Sequence, residues 1–313
     1  MPGPDKSVLG AIGHTPLIDL SRVVPPDSAR VLVKLESHNP TGSMKDRMAL
    51  AVVDRAAAAG RLRRDGTLVE YTGGSTGTSL ALVCAARSFG ATLVTSDAFS
   101  LEKRRHMRAL GATVVEVPSD GGRITKELIE AMMAKAAELS EEPDAFYADQ
   151  FNNTDAIEGY VPLGGEIWEE CDGHIDAFVQ AVGTAHCLSG VARVLRTRLP
   201  GVRVVAVEPA ESPVLSGGSP GAHRIEGVGP GFVPPLWEPE IVDAIELVST
   251  DDAEAMCRRL AREEALFAGT STGANIVAAL REAERLGPGH TVVTLACDSG
   301  LKYLSTELYG GSR

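Results

Sequence analysis

Residues 73–77, Gly73-Gly74-Ser75-Thr76-Gly77, spell G-x-S-x-G between a β-branched run, "TLVEY", and a helix-period run, "STGTSLALVCAARSFG". Two chemistries suit that spacing. A serine on a sharp strand-to-helix turn is the nucleophile elbow of a hydrolase. A strand tip that enters a helix through small residues instead leaves several backbone N–H groups unpaired beside the positive end of the helix dipole, which is a grip for phosphate or carboxylate. The hydrolase reading requires an acid and then a histidine downstream of Ser75. His174, His186, His223 and His290 follow, and none lies in a setting that marks it as the base.

The loop has relatives in the same chain. Gly269-Thr270-Ser271-Thr272-Gly273 repeats G-x-S-x-G ahead of a second helical run, Gly183-Thr184 opens another, and Asp298-Ser299-Gly300 begins a fourth. Any one copy reads as ordinary Ser/Thr capping. Several at the carboxyl ends of strands in one sheet describe a site for a small ligand with more than one anionic group. A different chemistry sits upstream in "KLESHNPTGSMKDRMALAVV", residues 34–53. Asn39-Pro40-Thr41-Gly42-Ser43 is a turn cluster that places Lys45 at a helix start. A lysine there opposes the helix dipole, with Asp46 partly compensating. It is either an exposed lysine or one whose amine is tuned for Schiff-base chemistry, and position alone does not choose.

The elements that must carry these loops are legible. Runs at 31–35, 67–71, 91–95, 112–117, 177–182, 202–208 and 291–296 predict strands, and helix-period segments lie between them, several ended by Gly. Continuous rather than alternating apolar strands imply burial on both faces. The fold class is therefore α/β, doubly wound, with a mostly parallel sheet covered by helices. The Pro- and Gly-rich stretch 209–239 interrupts the alternation, and a connection of that length is functional or mobile. No low-complexity linker separates halves.

Composition narrows the classes. Hydrophobic residues make up 44% of 313, and the net charge of −12 argues against nucleic acid or an anionic membrane as partner. The basic cluster "EKRRHMR" (102–108) reads as a solvated helix face. Five widely spaced cysteines without C-x-x-C argue against a disulfide framework or a structural zinc, so no metal is expected and a reducing compartment is. No secretory leader and no apolar run of membrane-spanning length is visible, which makes the cytoplasm the default.

Nine landmarks in order now carry a resemblance: Gly13-His14-Thr15-Pro16-Leu17, "KLESHNPTGSMKDR", "TGGSTG", "DQFNN", "AVGT", "VAVEP", "GVGPGFVP", "GTSTGA" and "DSGLKYLST". Between about residue 8 and 309 the chain resembles the fold-type II pyridoxal-phosphate enzymes, in the cysteine synthase (O-acetylserine sulfhydrylase) and cystathionine β-synthase branch. That resemblance implies two doubly wound α/β domains with the active site in the cleft between them. Residues 1–45 plus 151–313 would form the larger, cofactor-binding domain, and 46–150 a smaller mobile one carrying the substrate-carboxylate loop. Lys45 would hold pyridoxal phosphate covalently and carry the proton at the substrate α-carbon. Gly183 and Thr184, with Ala185, His186 and Cys187, would cradle the phosphate, and Ser299 would face the pyridine nitrogen. Thr72, Gly73, Thr76 and Gln150 would receive the substrate carboxylate, and Gly227 would line the mouth of the site.

The implied reaction is β-replacement on serine or an activated serine such as O-acetylserine, through an aminoacrylate, with sulfide or a small thiol as nucleophile. The implied assembly is a homodimer. A cystathionine β-synthase-like condensation, or an amine nucleophile, is the alternative inside the family. A hydrolase through Ser75 and a non-catalytic binding protein are the alternatives outside it. The departures are specific. The family's T-S-G-N-T-G has Gly73 for its Ser and Ser75 for the Asn that touches the cofactor, and its G-T-G-G-T has become Gly183-Thr184-Ala185-His186-Cys187.

Overall fold

The structure is a computed structural model that describes residues 7–122 and 125–310. The chain divides into two compact units, one built from the segment ending at Gly13 with Asn39–Gly159, the other from His14–His38 and the chain from Tyr160 onward.

The strands in chain order are β1 (Leu17–Leu20), β2 (Arg30–Lys34), β3 (Thr67–Tyr71), β4 (Gly90–Ser96), β5 (Thr113–Val117), β6 (Ala145–Tyr147), β7 (Ala177–Ala181), β8 (Arg203–Pro209), β9 (Ala244–Val248) and β10 (Thr291–Leu295). The helices are α1 (Lys45–Ala58), α2 (Ser75–Arg87), α3 (Leu101–Ala109), α4 (Lys126–Leu139), α5 (Asp155–Glu158), α6 (Val161–Glu170), α7 (His186–Arg198), α8 (Thr250–Glu263) and α9 (Thr270–Leu286).

In the first unit four parallel strands run in the order β5-β4-β3-β6. Leu68, Val69, Glu70 and Tyr71 of β3 are all buried, as expected for a strand covered on both faces. Val69, Tyr71 and Val94 pack with Leu128, Met132 and Ala136 of α4, which Thr125 caps by accepting the Leu128 N–H at 3.2 Å. The second unit has six strands in the order β1-β2-β10-β7-β8-β9, parallel except for the antiparallel β1. Its core joins Val31, Val179, Val205 and Val292 to Met256, Leu260 and Leu280 of α8 and α9. Ser249 caps α8 on the Asp252 N–H at 3.1 Å, with Asp251 and Asp252 in the favourable first turn.

All seven expected strands form. Three more were not legible in the sequence. β1 and β9 are edge strands with partly solvated faces, and β6 has only three residues, so none gives a continuous apolar run. The segment after Asp298 is a single 3-10 turn, Gly300–Tyr303, rather than the expected helix. It is entered through the Ser299 cap and closes with i to i+3 bonds such as Lys302 N–H to Ser299 C=O, 3.2 Å. The solvated-face reading of 102–108 holds for Arg105 and Arg108, but not for Arg104, whose largely buried side chain pairs with Glu116, nor for Lys103, which is only 3% exposed. The Lys103 stem lies across Gly74, where apolar burial of its methylenes outweighs solvation. The stretch 209–239 is tied down from several sides. Glu208 accepts the N–H groups of Leu215 and Ser216, and Glu211 accepts that of Thr250.

Candidate active site

Lys45 is the first residue of α1, half-buried, and the turn before it is locked by its neighbour. Asp46 is fully buried and accepts from the Thr41 N–H at 2.8 Å and the Thr41 hydroxyl at 2.5 Å. Asn39 accepts the Gly13 N–H at 2.9 Å, and Gly42 takes φ +74° to close the turn. Thr41 Oγ1 also lies 3.3 Å from Ser79 Oγ on α2, so the lysine's helix and the G-x-S-x-G helix share one buried polar junction. The acid that the sequence reading placed as a dipole counterweight thus fixes the Lys45 backbone.

The loop at the end of β3 is organised by Thr72. Its buried hydroxyl oxygen accepts from the N–H groups of Gly74 and Gly77, each at 2.9 Å, which leaves its own proton to donate. Among the described residues the first-turn N–H groups of Ser75 and Thr76 take no main-chain partner. Gly74 has φ +132°, a conformation that a side chain would strain. A Cβ at Gly73 would stand 3.0 Å from the Phe99 ring, a tight approach that asks the ring to shift by a few tenths of an ångström. Thr76 Oγ1 donates to Gln150 Oε1 at 3.1 Å, so two residues expected to serve one carboxylate are in contact. The Ser75 hydroxyl bonds no imidazole among the described residues, and the hydrolase dyad is missing.

Glu70, which the sequence reading missed, lies beneath this loop. It is fully buried and accepts from the N–H of Tyr71 at 3.1 Å and of Gln150 at 3.0 Å. Gln150 Nε2 donates to the Tyr71 carbonyl at 3.0 Å and reaches Glu70 Oε1 at 3.4 Å. Burial pushes the Glu70 carboxyl up to about 8 against those N–H bonds, and Asp149 nearby adds to the rise.

In the second unit Gly183 and Gly227 meet. A Cβ at Gly183 would overlap the Gly227 carbonyl oxygen, and Gly229 N–H donates to the Val182 carbonyl at 3.0 Å. Ala185, the N-cap of α7, holds φ +70°, where the family pattern has glycine. His186 is 1% exposed and its Nδ1 lies 2.9 Å from Thr184 Oγ1, and Cys187 is buried beside it. The histidine therefore turns inward against the threonine hydroxyl. Ser299 caps the last 3-10 turn by accepting the Leu301 N–H at 3.3 Å, and its hydroxyl proton remains available. The neighbouring Asp298 is bound elsewhere, accepting from the Tyr303 hydroxyl at 2.8 Å with its other oxygen against Gly269.

These residues fit pyridoxal phosphate. In the second unit, a glycine-lined loop at the N-terminus of α7 and a neutral donor at Ser299 are of the chemistry that a phosphate and a ring nitrogen take, and in the first unit Lys45 offers an amine at a helix start, of the chemistry an aldehyde takes. The comparisons agree. A family described as pyridoxal-phosphate dependent enzyme matches residues 8–298. The chain is 43% identical over 308 residues to a cysteine synthase of Staphylococcus aureus (strain Mu50), covering 98% of this chain and 97% of the relative. It superposes on the crystal structure of O-ureido-L-serine synthase with a TM-score of 0.92 and 38% identity, covering 99% and 97% of the two chains. It also matches an O-acetylserine dependent cystathionine beta-synthase from Helicobacter pylori, TM-score 0.91 at 36% identity, over 98% and 100%. With the family matched along nearly its whole length, the chain belongs to the pyridoxal-phosphate dependent enzymes, on the α/β fold of their cysteine synthases.

Proposed function

We propose that the protein replaces the β-substituent of serine or an activated serine such as O-acetylserine, with sulfide or a small thiol as nucleophile. The observation that carries this reading is Ser299. A hydroxyl donor beside the ring nitrogen withdraws less charge than a carboxylate, which suits loss of a β-substituent, and Asp298 is held by Tyr303. When bound, pyridoxal phosphate supplies the electron sink that lets the α-proton and the β-substituent leave.

The chain's own residues do the rest. Lys45 holds the cofactor and carries the proton at the substrate α-carbon. The Thr72 hydroxyl and the N–H groups of Ser75 and Thr76 grip the α-carboxylate at the positive end of α2, and the Gly73 main chain lines that grip. Gln150 orients Thr76. Gly183, Thr184, Ala185, His186 and Cys187 hold the phosphate, with His186 acting through the Thr184 hydroxyl. Ser75 would stand in for the asparagine that touches the cofactor, and Gly227 would line the entrance. Location in the cytoplasm and a homodimeric assembly complete the reading, supported by five buried cysteines and by similarity to cysteine synthases.

The test is spectroscopic and then chemical. The purified protein should be yellow and make cysteine from O-acetylserine or serine with sulfide. Lys45→Ala should lose the colour and lower turnover by at least about 10³-fold, the range of a positioned acid–base group. A colourless protein that takes up no pyridoxal phosphate would sink the reading. Colour with no turnover of sulfide, homocysteine or small amines would favour a binding protein. Turnover with homocysteine or an amine alone would favour the alternative nucleophiles.

A further inference from the structure

Helix α9 starts with the chain's second G-x-S-x-G, and that loop holds no place in the cofactor or substrate roles above. Its polar groups are spent inside the second unit. Thr270 Oγ1 accepts the Glu226 N–H at 3.0 Å, Thr272 Oγ1 accepts the Cys297 N–H at 3.0 Å, and Gly269 N–H donates to the Asp298 carbonyl at 3.2 Å. One turn on, Asn275 is completely buried. Its Oδ1 accepts the Ala181 N–H at 2.7 Å, and its Nδ2 donates to the Leu295 carbonyl at 2.9 Å. The same Nδ2 reaches Gln180 Oε1 at 3.1 Å and Cys297 Sγ at 3.3 Å.

Ala181 ends β7 two residues before Gly183, and Leu295 ends β10 four residues before Ser299. Gly269, Thr272 and Asn275 recur every third residue, so they share one face of the helix. Capping explains none of this, because the N-cap of α9 is a glycine without a side-chain bond. A buried carboxamide is costly unless all its groups are satisfied, and here every one goes to a strand end that leads into a cofactor loop.

We propose that Asn275 is a positioning residue that clamps the ends of β7 and β10 to α9 and so fixes the phosphate loop (Gly183–Cys187) relative to Ser299. Asn275 acts through the main chain at Ala181 and Leu295. The inference rests on the pyridoxal-phosphate reading for what the loops hold, and on hydrogen bonds within one unit for the clamp itself.

The test compares Asn275→Ala, Asn275→Asp and Leu280→Ala in the full chain. Leu280 lies on the same helix in the apolar core, and its truncation lowers stability without touching either loop. In Asn275→Ala, amide exchange of residues 181–187 and 297–300 should quicken by about tenfold or more, the loss of a buried hydrogen bond or two. After removal of the cofactor, the Kd for added pyridoxal phosphate should rise by about tenfold, with a shifted absorption band for the bound cofactor. Asn275→Asp keeps the acceptor for Ala181 and loses the donors, so it should loosen 297–300 more than 181–187. Leu280→Ala should leave the loop-specific exchange and the Kd within about twofold.

Unchanged exchange at both loops in Asn275→Ala overturns the proposal, as does an equal rise in Kd in Leu280→Ala. If Asn275→Ala does not fold, the uneven loosening expected in Asn275→Asp decides, and even loosening or none overturns the clamp. A wild-type chain that binds no pyridoxal phosphate removes the cofactor reading, and the exchange comparison still decides the clamp.

Discussion

Glu70 shows how a single buried residue couples the loop after β3 to pH. Its carboxyl is raised from 4.5 to about 8, so the folded chain holds a proton that the unfolded chain has released. Stability should therefore be highest below the unfolded value and fall as pH rises through that window, by up to about 1.4 kcal/mol per pH unit, then level off. Urea unfolding of Glu70→Gln against wild type across this range checks it. The variant should lack that fall, and parallel curves for the two proteins would remove Glu70 as its source. The thiols make a second case. Burial pushes Cys84 and Cys257 up to about 12 and Cys171 up to about 11. A thiol reagent at neutral pH should accordingly label the folded chain slowly and the urea-unfolded chain at all five positions.

Among the elements, α7 and its loop carry a strain that the family pattern avoids. Ala185 sits at φ +70°, where a Cβ is disfavoured, so Ala185→Gly should stabilise the protein by roughly 0.5–1 kcal/mol, read from the denaturation midpoint. Gly183→Ala acts in the opposite direction. Its Cβ would overlap the Gly227 carbonyl, and both stability and pyridoxal-phosphate affinity should drop, which thermal melting with and without added cofactor will separate. The element scale also shows what the sequence misjudged. β1, β6 and β9 escaped because an edge strand or a three-residue strand carries too little buried periodicity to be read. The turn after Ser299 was taken for a helix because a capping serine announces a helical start and says nothing of its length.

For the whole molecule, similarity to cysteine synthases carries the expectation of a homodimer, and sedimentation should give about twice the 32.9 kDa of one chain. A mass of one chain at micromolar concentration would remove that expectation. Among the described residues no helix is long and apolar enough to cross a membrane.

The sequence by itself determined the α/β class and seven of the strands in chain order, and it singled out Lys45, the "TGGSTG" loop and Ser299 as candidates for chemistry. Those are properties of local pattern: buried strands leave continuous apolar runs, and tight loops leave glycines and hydroxyls at helix starts. Only the tertiary structure decided which polar groups of each loop are bound to distant segments. Both G-x-S-x-G copies are spelled alike, yet the Thr76 hydroxyl turns to Gln150, while the hydroxyls of Thr270 and Thr272 accept the N–H groups of Glu226 and Cys297 and Asn275 ties down the ends of β7 and β10. The same holds for Glu70, whose place under Gln150 joins residues eighty positions apart. Whether a polar group faces a ligand or satisfies the fold depends on the partners that distant segments bring to it, and no local spacing encodes them.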